Sequence, residues 1–321
     1  MNFIAKPKVP THEIRMNVLN ATNNKINVNN EGVKHGGYER VLARRKADNL
    51  FSVKCKSLRG NCIKQILGIQ QPIAICAYND YLYIASFYLN TTISRYNLVT
   101  HAFDAQWVQF PYNFIAFDLV AQGNYLYTGI QDEIIRINIT TGVSETWIPA
   151  TEELGQIFGL TIYNNHLYII NFVSAGSSQI SKINLTTGVS SLILDWYTPN
   201  EIMVSMREYN NMLYIVNFEI NTITRYDLLT NAVIEDWIPA SAGLLLPISL
   251  TIYNGIMYVS NYFSISKINI NSKQVQNNWV KIPLITDNVA PFLMLTNYTI
   301  NDITKIYVSS INNNAIYSIF I

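Results

Sequence analysis

After residue 70 the chain alternates apolar and polar positions with a period of two, in short runs rich in β-branched and aromatic residues broken by clusters of Asn, Asp, Gly and Thr. That period belongs to half-buried strands, not to helices. Residues 204–237 show the unit most clearly: VSMREY, MLYIVNF, TITRYDL and AVIEDW are strand-like runs parted by YNN, EIN and LTN. The pattern predicts four antiparallel strands joined by tight turns. One such sheet leaves an apolar face in water, so it requires stacked copies of itself.

The copies are present. An aromatic of the second strand recurs as Tyr83, Tyr127, Tyr168, Tyr214, Tyr258 and Tyr307, at intervals of 44, 41, 46, 44 and 49 residues. The third strand recurs as ISRYN, IIRIN, ISKIN, ITRYD and ISKIN, with a basic residue at its centre each time. The fourth ends in Trp107, Trp147, Trp196, Trp237 and Trp279, which are all the tryptophans of the chain. A period near 44 residues with four strands per unit predicts an all-β fold, a six-bladed β-propeller of four-stranded blades.

The sixth unit stops at Ile321 after three strands, with no tryptophan strand. A ring left with that gap would expose a sheet edge, so the missing strand must come from before the first unit. CIKQILGIQQPI, ending at Ile73, has the length of WIPASAGLLLPI, ending at Ile248; it sets Cys62 in the tryptophan position and Gly68 opposite Gly243. The propeller is therefore expected over residues 58–321, with 58–65 closing the last blade, and 1–57 form a separate arm.

Charge separates the same two regions. Residues 1–64 hold thirteen Lys and Arg against four Asp and Glu, a balance of +9, whereas 65–321 hold nine against seventeen, a balance of −8. The chain is a basic arm on a mildly acidic ring. Residues 1–33 are polar and Asn-rich without a period, which reads as extended chain. After Gly36 and Gly37, the residues Tyr38, Val41 and Leu42 fall at helical spacing, which predicts a short basic amphipathic helix near 37–50. Lys34, Arg40, Arg44, Arg45 and Lys46 are the candidate anchoring residues, toward other proteins or, through residues 1–64, non-specifically toward nucleic acid or another acidic surface; the other reading is a solvated arm that packs on its own acidic propeller. Nothing in the arm has the aromatic interleaving or zinc spacing of sequence-specific reading.

KHGGYERVLARRK, residues 34–46, resembles a short signature that recurs in proteins of giant DNA viruses, and the abundance of Asn, Ile and Tyr suits an AT-rich genome of that kind. The resemblance implies a protein made in the host cytoplasm and packaged in the virion beside capsid components; without it the expectation is simply cytoplasmic. Cys55, Cys62 and Cys76 are odd in number and lack metal-site spacing, so neither a disulfide framework nor a zinc site is expected. With no leader-like segment and no apolar stretch long enough to span a bilayer, the chain is expected to be soluble, not secreted and not inserted in a membrane. The sequons at Asn138 and Asn184 end third strands in INITTG and INLTTG, where a turn calls for Asn, so turn chemistry explains them better than glycosylation.

IIRINITTGVSETW and ISKINLTTGVSSLILDW resemble the outer hairpin of the NHL and virginiamycin B lyase-like group. Enzymes of the lyase type are expected to place His and Glu near the central channel. Here His101 and His166 fall in or beside turns, and His12 and His35 in the arm. Relatives of the sugar-lactonase type need several acidic and amide side chains converging on a divalent cation. Aligned first strands place Ala74, Asp118, Gly159, Ser205, Ser249 and Met294 in one ring, and Cys76, Val120, Thr161, Arg207, Thr251 and Thr296 in the next. Asp118 and Arg207 are the only charges there, and one carboxylate does not hold a metal.

Ser86, Asn171, Asn217, Asn261 and Ser310 form a further ring at the ends of the second strands, suited either to a polar ligand or to the backbone of their own loops. The basic positions Arg95, Arg136, Lys182, Arg225 and Lys267 are expected to pair with outer-strand acids such as Glu145, Asp195 and Asp236. No catalytic residue, metal or cofactor is assigned. The expected function is a non-catalytic structural or interaction module. The alternative is a lactonase- or lyase-like enzyme or sugar-binding protein using Asp118, Arg207, Glu208, Asn171, Asn217 and Asn261 in the channel.

Overall fold

The computed structural model describes residues 56–58, 61–67, 69–86, 92–110, 115–150, 154–174, 177–197, 202–262, 264–282, 293–311 and 313–321. The expected helix near 37–50 and the anchoring residues Lys34, Arg40, Arg44, Arg45 and Lys46 lie outside them. Blades 1 to 5 are antiparallel sheets of four strands in sequence order, and their first strands begin at Pro72, Leu119, Gln156, Met203 and Ser249. Blade 6 takes Leu295–Ile300, Ile303–Ser310 and Ala315–Phe320 from the end of the chain. First strands of successive blades touch in cyclic order, and that of blade 6 touches that of blade 1, so the sheets form a closed six-bladed β-propeller.

Closure is made by Asn61–Leu67, which pairs antiparallel with Ala315–Phe320 so that Ile63 stands opposite Ile319 and Leu67 opposite Ala315. The closing strand thus lies a few residues later than the 58–65 suggested by the repeat, because its register is set by the strand it joins and not by its distance from the next unit. Beyond it a short strand, Lys56–Leu58, pairs with Asn61–Leu67 and makes blade 6 five-stranded. The repeat contains no counterpart of that strand, so its pattern did not predict it.

Local chemistry shapes the hairpins. In five blades the turn between first and second strands has two consecutive residues at positive φ, as at Asn164 (45°) and Asn165 (59°) or Asn254 (48°) and Gly255 (72°). Turns of that hand match the right-handed twist of the strands they join. After the third strand, Asn97, Asn138, Asn184, Asp227 and Asn269 each accept the N–H groups of the residues two and three further on, at 2.7 to 3.1 Å. The sequon asparagines Asn138 and Asn184 therefore act as turn acceptors. Among the described residues the only helical turn is Ala240–Ala242, ended by Gly243 in the left-handed region at φ 82°.

The apolar positions of the alternation pack between blades: Ile75, Leu160 and Leu250 of the first strands are buried, as are Ile84, Ile169 and Val259 of the second. Close approach of blades 2 and 3 depends on Gly129, where a Cβ would lie 2.4 Å from Cβ of Ile157. The outer part of four blades has its own aromatic packing. Tyr83, Tyr127, Tyr214 and Tyr258 meet Trp107, Trp147, Trp237 and Trp279 in tilted or edge-to-face contacts with ring centroids 5.0 to 5.4 Å apart.

Candidate functional site at the channel

First-strand side chains tie blade 3 to blade 4, blade 5 to blade 6 and blade 6 to blade 1. Ser249 Oγ accepts the N–H of Leu295 at 3.2 Å, Thr161 Oγ1 that of Glu208 at 3.3 Å and Thr296 Oγ1 that of Ala77 at 3.3 Å. Thr251 Oγ1 accepts from Asn297 Nδ2 at 2.7 Å. At the far end of the strand, Tyr298 accepts the N–H of Asp80 at 2.8 Å, and the Tyr163 hydroxyl donates to Asn211. Thr161, Ser249, Thr251 and Thr296 are thus hydrogen-bonded rungs between neighbouring sheets, whereas the buried hydroxyl of Ser205, in the first strand of blade 4, has no hydrogen-bond partner among the described residues.

Asp118 and Arg207 extend this pattern across a whole blade. Arg207, from blade 4, passes blade 3 and donates to Asp118, at the entry to blade 2, through both terminal nitrogens: Nη1 to Oδ2 at 2.8 Å and Nη2 to Oδ1 at 3.0 Å. Arg207 Nη1 also reaches the carbonyls of Leu160 (2.9 Å) and Met206 (2.7 Å). Asp118 further accepts the N–H groups of Leu119 (2.9 Å) and Leu160 (3.0 Å). The carboxylate side chain is 1% exposed and the arginine side chain 16%. Gly159 permits the close approach of blades 3 and 4: a Cβ there would stand 3.1 Å from Cα of Ser205. Burial disfavours the arginine's charge, but Asp118 outweighs it and raises the Arg207 pKa, which keeps the guanidinium charged.

The other sequence candidates sit apart from this pair in their own hairpins. Glu208 accepts the N–H of Asn211 at 2.8 Å, and its burial pushes its pKa up. Asn171 Oδ1 accepts the N–H of Gly155 at 2.5 Å. Asn217 donates to Thr222 (3.1 Å) and Thr224 (2.9 Å) of its own blade, and Asn261 donates to Ser266 at 2.8 Å. Burial lifts the Cys76 thiol to about 12, which makes it a poor nucleophile despite its place beside Arg207 and Asp118. Among the described residues no group of three His, Cys, Asp or Glu side chains is arranged to hold a metal ion. His101 stacks on Tyr96, and His166 contacts the Asn164 carbonyl.

No protein-family model matches the sequence, and no curated protein matches it. Solved structures do resemble the fold. A streptogramin B lyase superposes with a TM-score of 0.56 at 16% identity, over 80% of this chain and 86% of that one. An auxiliary nutrient binding protein from Bacteroides ovatus gives 0.59 at 12% identity, over 79% and 70%. A chain of a nidogen–laminin complex gives 0.55 at 11% identity, over 66% and 81%. At such identities the likeness establishes the propeller fold alone.

The basic positions of the third strands turn out to have two roles. Arg136 pairs with Glu145 at 2.5 Å, as its spacing suggested, and Arg95 pairs with Asp104 at 3.5 Å, whereas Asp195 accepts from Gln179. Arg95 and Arg136 also lie over the tryptophan rings, 5.1 Å from Trp107 and 5.9 Å from Trp147, and Lys267 lies 5.7 Å from Trp279. Each such contact at a half-exposed site is worth ~0.5–1 kcal/mol. The signal was in the sequence, since tryptophan and the basic residue recur together, but their contact depends on the register between third and fourth strands.

Proposed function

We propose that this chain is a non-catalytic β-propeller that works by interaction, with the ring as a rigid platform and the basic arm as its anchor. One observation carries the reading: the two charges nearest the axis, Asp118 and Arg207, are fully engaged with each other and with backbone groups. A binding or catalytic carboxylate needs an accessible oxygen, and Asp118 already has four donors around a side chain that is 1% exposed. The hydroxyls of Thr161, Ser249 and Thr296 are likewise occupied as rungs. Propellers of similar fold serve in a nutrient-binding protein and in a nidogen–laminin complex, which supports an interaction role for this architecture.

The resemblance of residues 34–46 to the giant-virus signature supports a virion as the setting of that role, with a basic arm suited to an acidic neighbouring surface. Quantitative proteomics of purified particles tests it, comparing the full chain with a variant lacking residues 1–50. Stoichiometric presence that disappears with the arm is the expected result. Absence of the full chain from particles would overturn the reading.

A further inference from the structure

The turns between first and second strands ring one end of the channel. Five of them begin with an exposed Asn at positive φ: Asn79, Asn164, Asn210, Asn254 and Asn301. The residue that follows decides the chemistry open to such an Asn, because its backbone nitrogen is the nucleophile closest to the side-chain amide carbon. In blade 1 the N–H of Asp80 is held by the Tyr298 hydroxyl at 2.8 Å, and in blade 4 that of Asn211 by Glu208 Oε1 at 2.8 Å. In blades 3 and 6 the following residues, Asn165 and Asp302, carry side chains that crowd the nitrogen. Blade 5 has neither guard. Asn254 precedes Gly255, the only Asn–Gly step in the chain. Tyr253 pairs with Ile256, so both residues stand in the loop, outside the ladder. Among the described residues no side chain accepts the Gly255 N–H, and none bonds to the Asn254 amide. The space is open as well: the one atom within 4 Å of a Cβ added to Gly255 is the Tyr209 hydroxyl oxygen, at 3.7 Å.

We infer that Asn254–Gly255 is a site of spontaneous covalent modification, with water as the only co-reactant. The Gly255 nitrogen gives its proton to solvent base and attacks Cγ of Asn254. The bond from Cγ to the side-chain nitrogen breaks, that nitrogen leaves as ammonia, and a cyclic imide closes. Water then adds to one of the two ring carbonyls and opens the ring, leaving Asp or an isoaspartyl residue at 254. Attack requires the turn to open, and the tip of a single hairpin is among the parts of a fold that open most readily. The isoaspartyl form lengthens the backbone of a two-residue loop whose twist matches its strands. It therefore strains the bond from the Ile270 N–H to the Gly255 carbonyl, 2.9 Å, which joins the two turns of blade 5. It also adds a carboxylate to a channel end that already bears the exposed Asp80 and Asp302. The inference goes beyond the proposed interaction role and does not depend on it.

Peptide mapping by mass spectrometry tests it on the folded full chain, held for several weeks in mildly alkaline buffer. The peptide containing Asn254 is expected to gain the mass of amide-to-acid conversion and to become a substrate for an isoaspartyl methyltransferase. It should do so about tenfold or more sooner than the peptides containing Asn79, Asn164, Asn210 or Asn301, because only glycine leaves the attacking nitrogen unshielded. Conversion should quicken as pH rises, since that nitrogen must lose its proton. Gly255→Asn rebuilds the Asn–Asn tip of blade 3, which accepts positive φ, and should slow conversion at 254 to the rate seen at Asn164. The isoaspartyl fraction, separated by ion exchange, should melt below the Asn254→Asp variant, which carries the same charge without the longer backbone. Conversion no faster at Asn254 than at Asn164, or unaffected by Gly255→Asn, would overturn the inference. Equal melting of the two acidic forms would overturn the strain it assigns to blade 5.

Discussion

Replacing Asp118 by alanine removes the acceptor of four hydrogen bonds, two from Arg207 and one each from the backbones of Leu119 and Leu160. The guanidinium is then left in a site where its side chain is only 16% exposed, with carbonyl oxygens but no counter-ion. Breaking a buried pair from one side costs ~3–5 kcal/mol, and the orphaned N–H groups place this change toward the upper half of that range. Arg207→Met should cost less, about 2–3 kcal/mol, because Asp118 keeps the N–H groups of Leu119 and Leu160 as donors. The double variant should be no worse than Asp118→Ala alone, giving a coupling energy of ~2 kcal/mol or more. Urea unfolding followed by tryptophan fluorescence measures all three, and thermal melts should show Asp118→Ala falling by about 8 °C or more. If Asp118→Ala lies within ~1 kcal/mol of the parent, or the two single costs simply add, the pair is not the tie between blades 2 and 4 described above.

Three further outcomes are expected. Because burial raises the Glu208 pKa, the folded chain keeps that proton to higher pH than the unfolded one; the resulting penalty is absent below the unfolded pKa and fully present above the folded one. Glu208→Gln should then raise the melting temperature at neutral pH and leave it unchanged near pH 3, and equal shifts at both would exclude burial of the charge as the cause. Gly142→Ala should cost about 1–3 kcal/mol and perturb Trp107 emission, since Gly142 has φ 75° and an added Cβ would lie 3.2 Å from Trp107 Nε1. Gly123→Ala, at φ 59° with open space around it, should cost less and leave the emission alone; equal effects would show that the tryptophan contact is immaterial. Deleting residues 55–67 takes away the strand that pairs with Ala315–Phe320 and should cause aggregation or a melting temperature lower by more than about 10 °C, whereas an unchanged melt would mean that blade 6 is closed some other way.

Much of this architecture is determined by the sequence by itself. Strand alternation, the recurrence of one aromatic, one basic residue and one tryptophan per unit, and the missing last strand lead to a six-bladed ring closed from the N-terminal side, because these are local patterns or simple counts. The turn asparagines were equally legible, since Asn138 and Asn184 bond to the residues just after them.

Contacts between blades are another matter. Asp118 and Arg207 were visible as the two charges near the axis, yet 89 residues separate them, and only the folded ring shows that the arginine passes blade 3 to meet the carboxylate. Alignment of the repeat assigns each side chain to a position within its own blade but not to a partner in the next. The same holds for the rungs from Thr161, Ser249 and Thr296, for the extra strand Lys56–Leu58, and for the cations over the tryptophans. Hydrophobic period is a property of one strand, whereas ion pairs and inter-sheet hydrogen bonds depend on how sheets are stacked, and tertiary packing alone decides that.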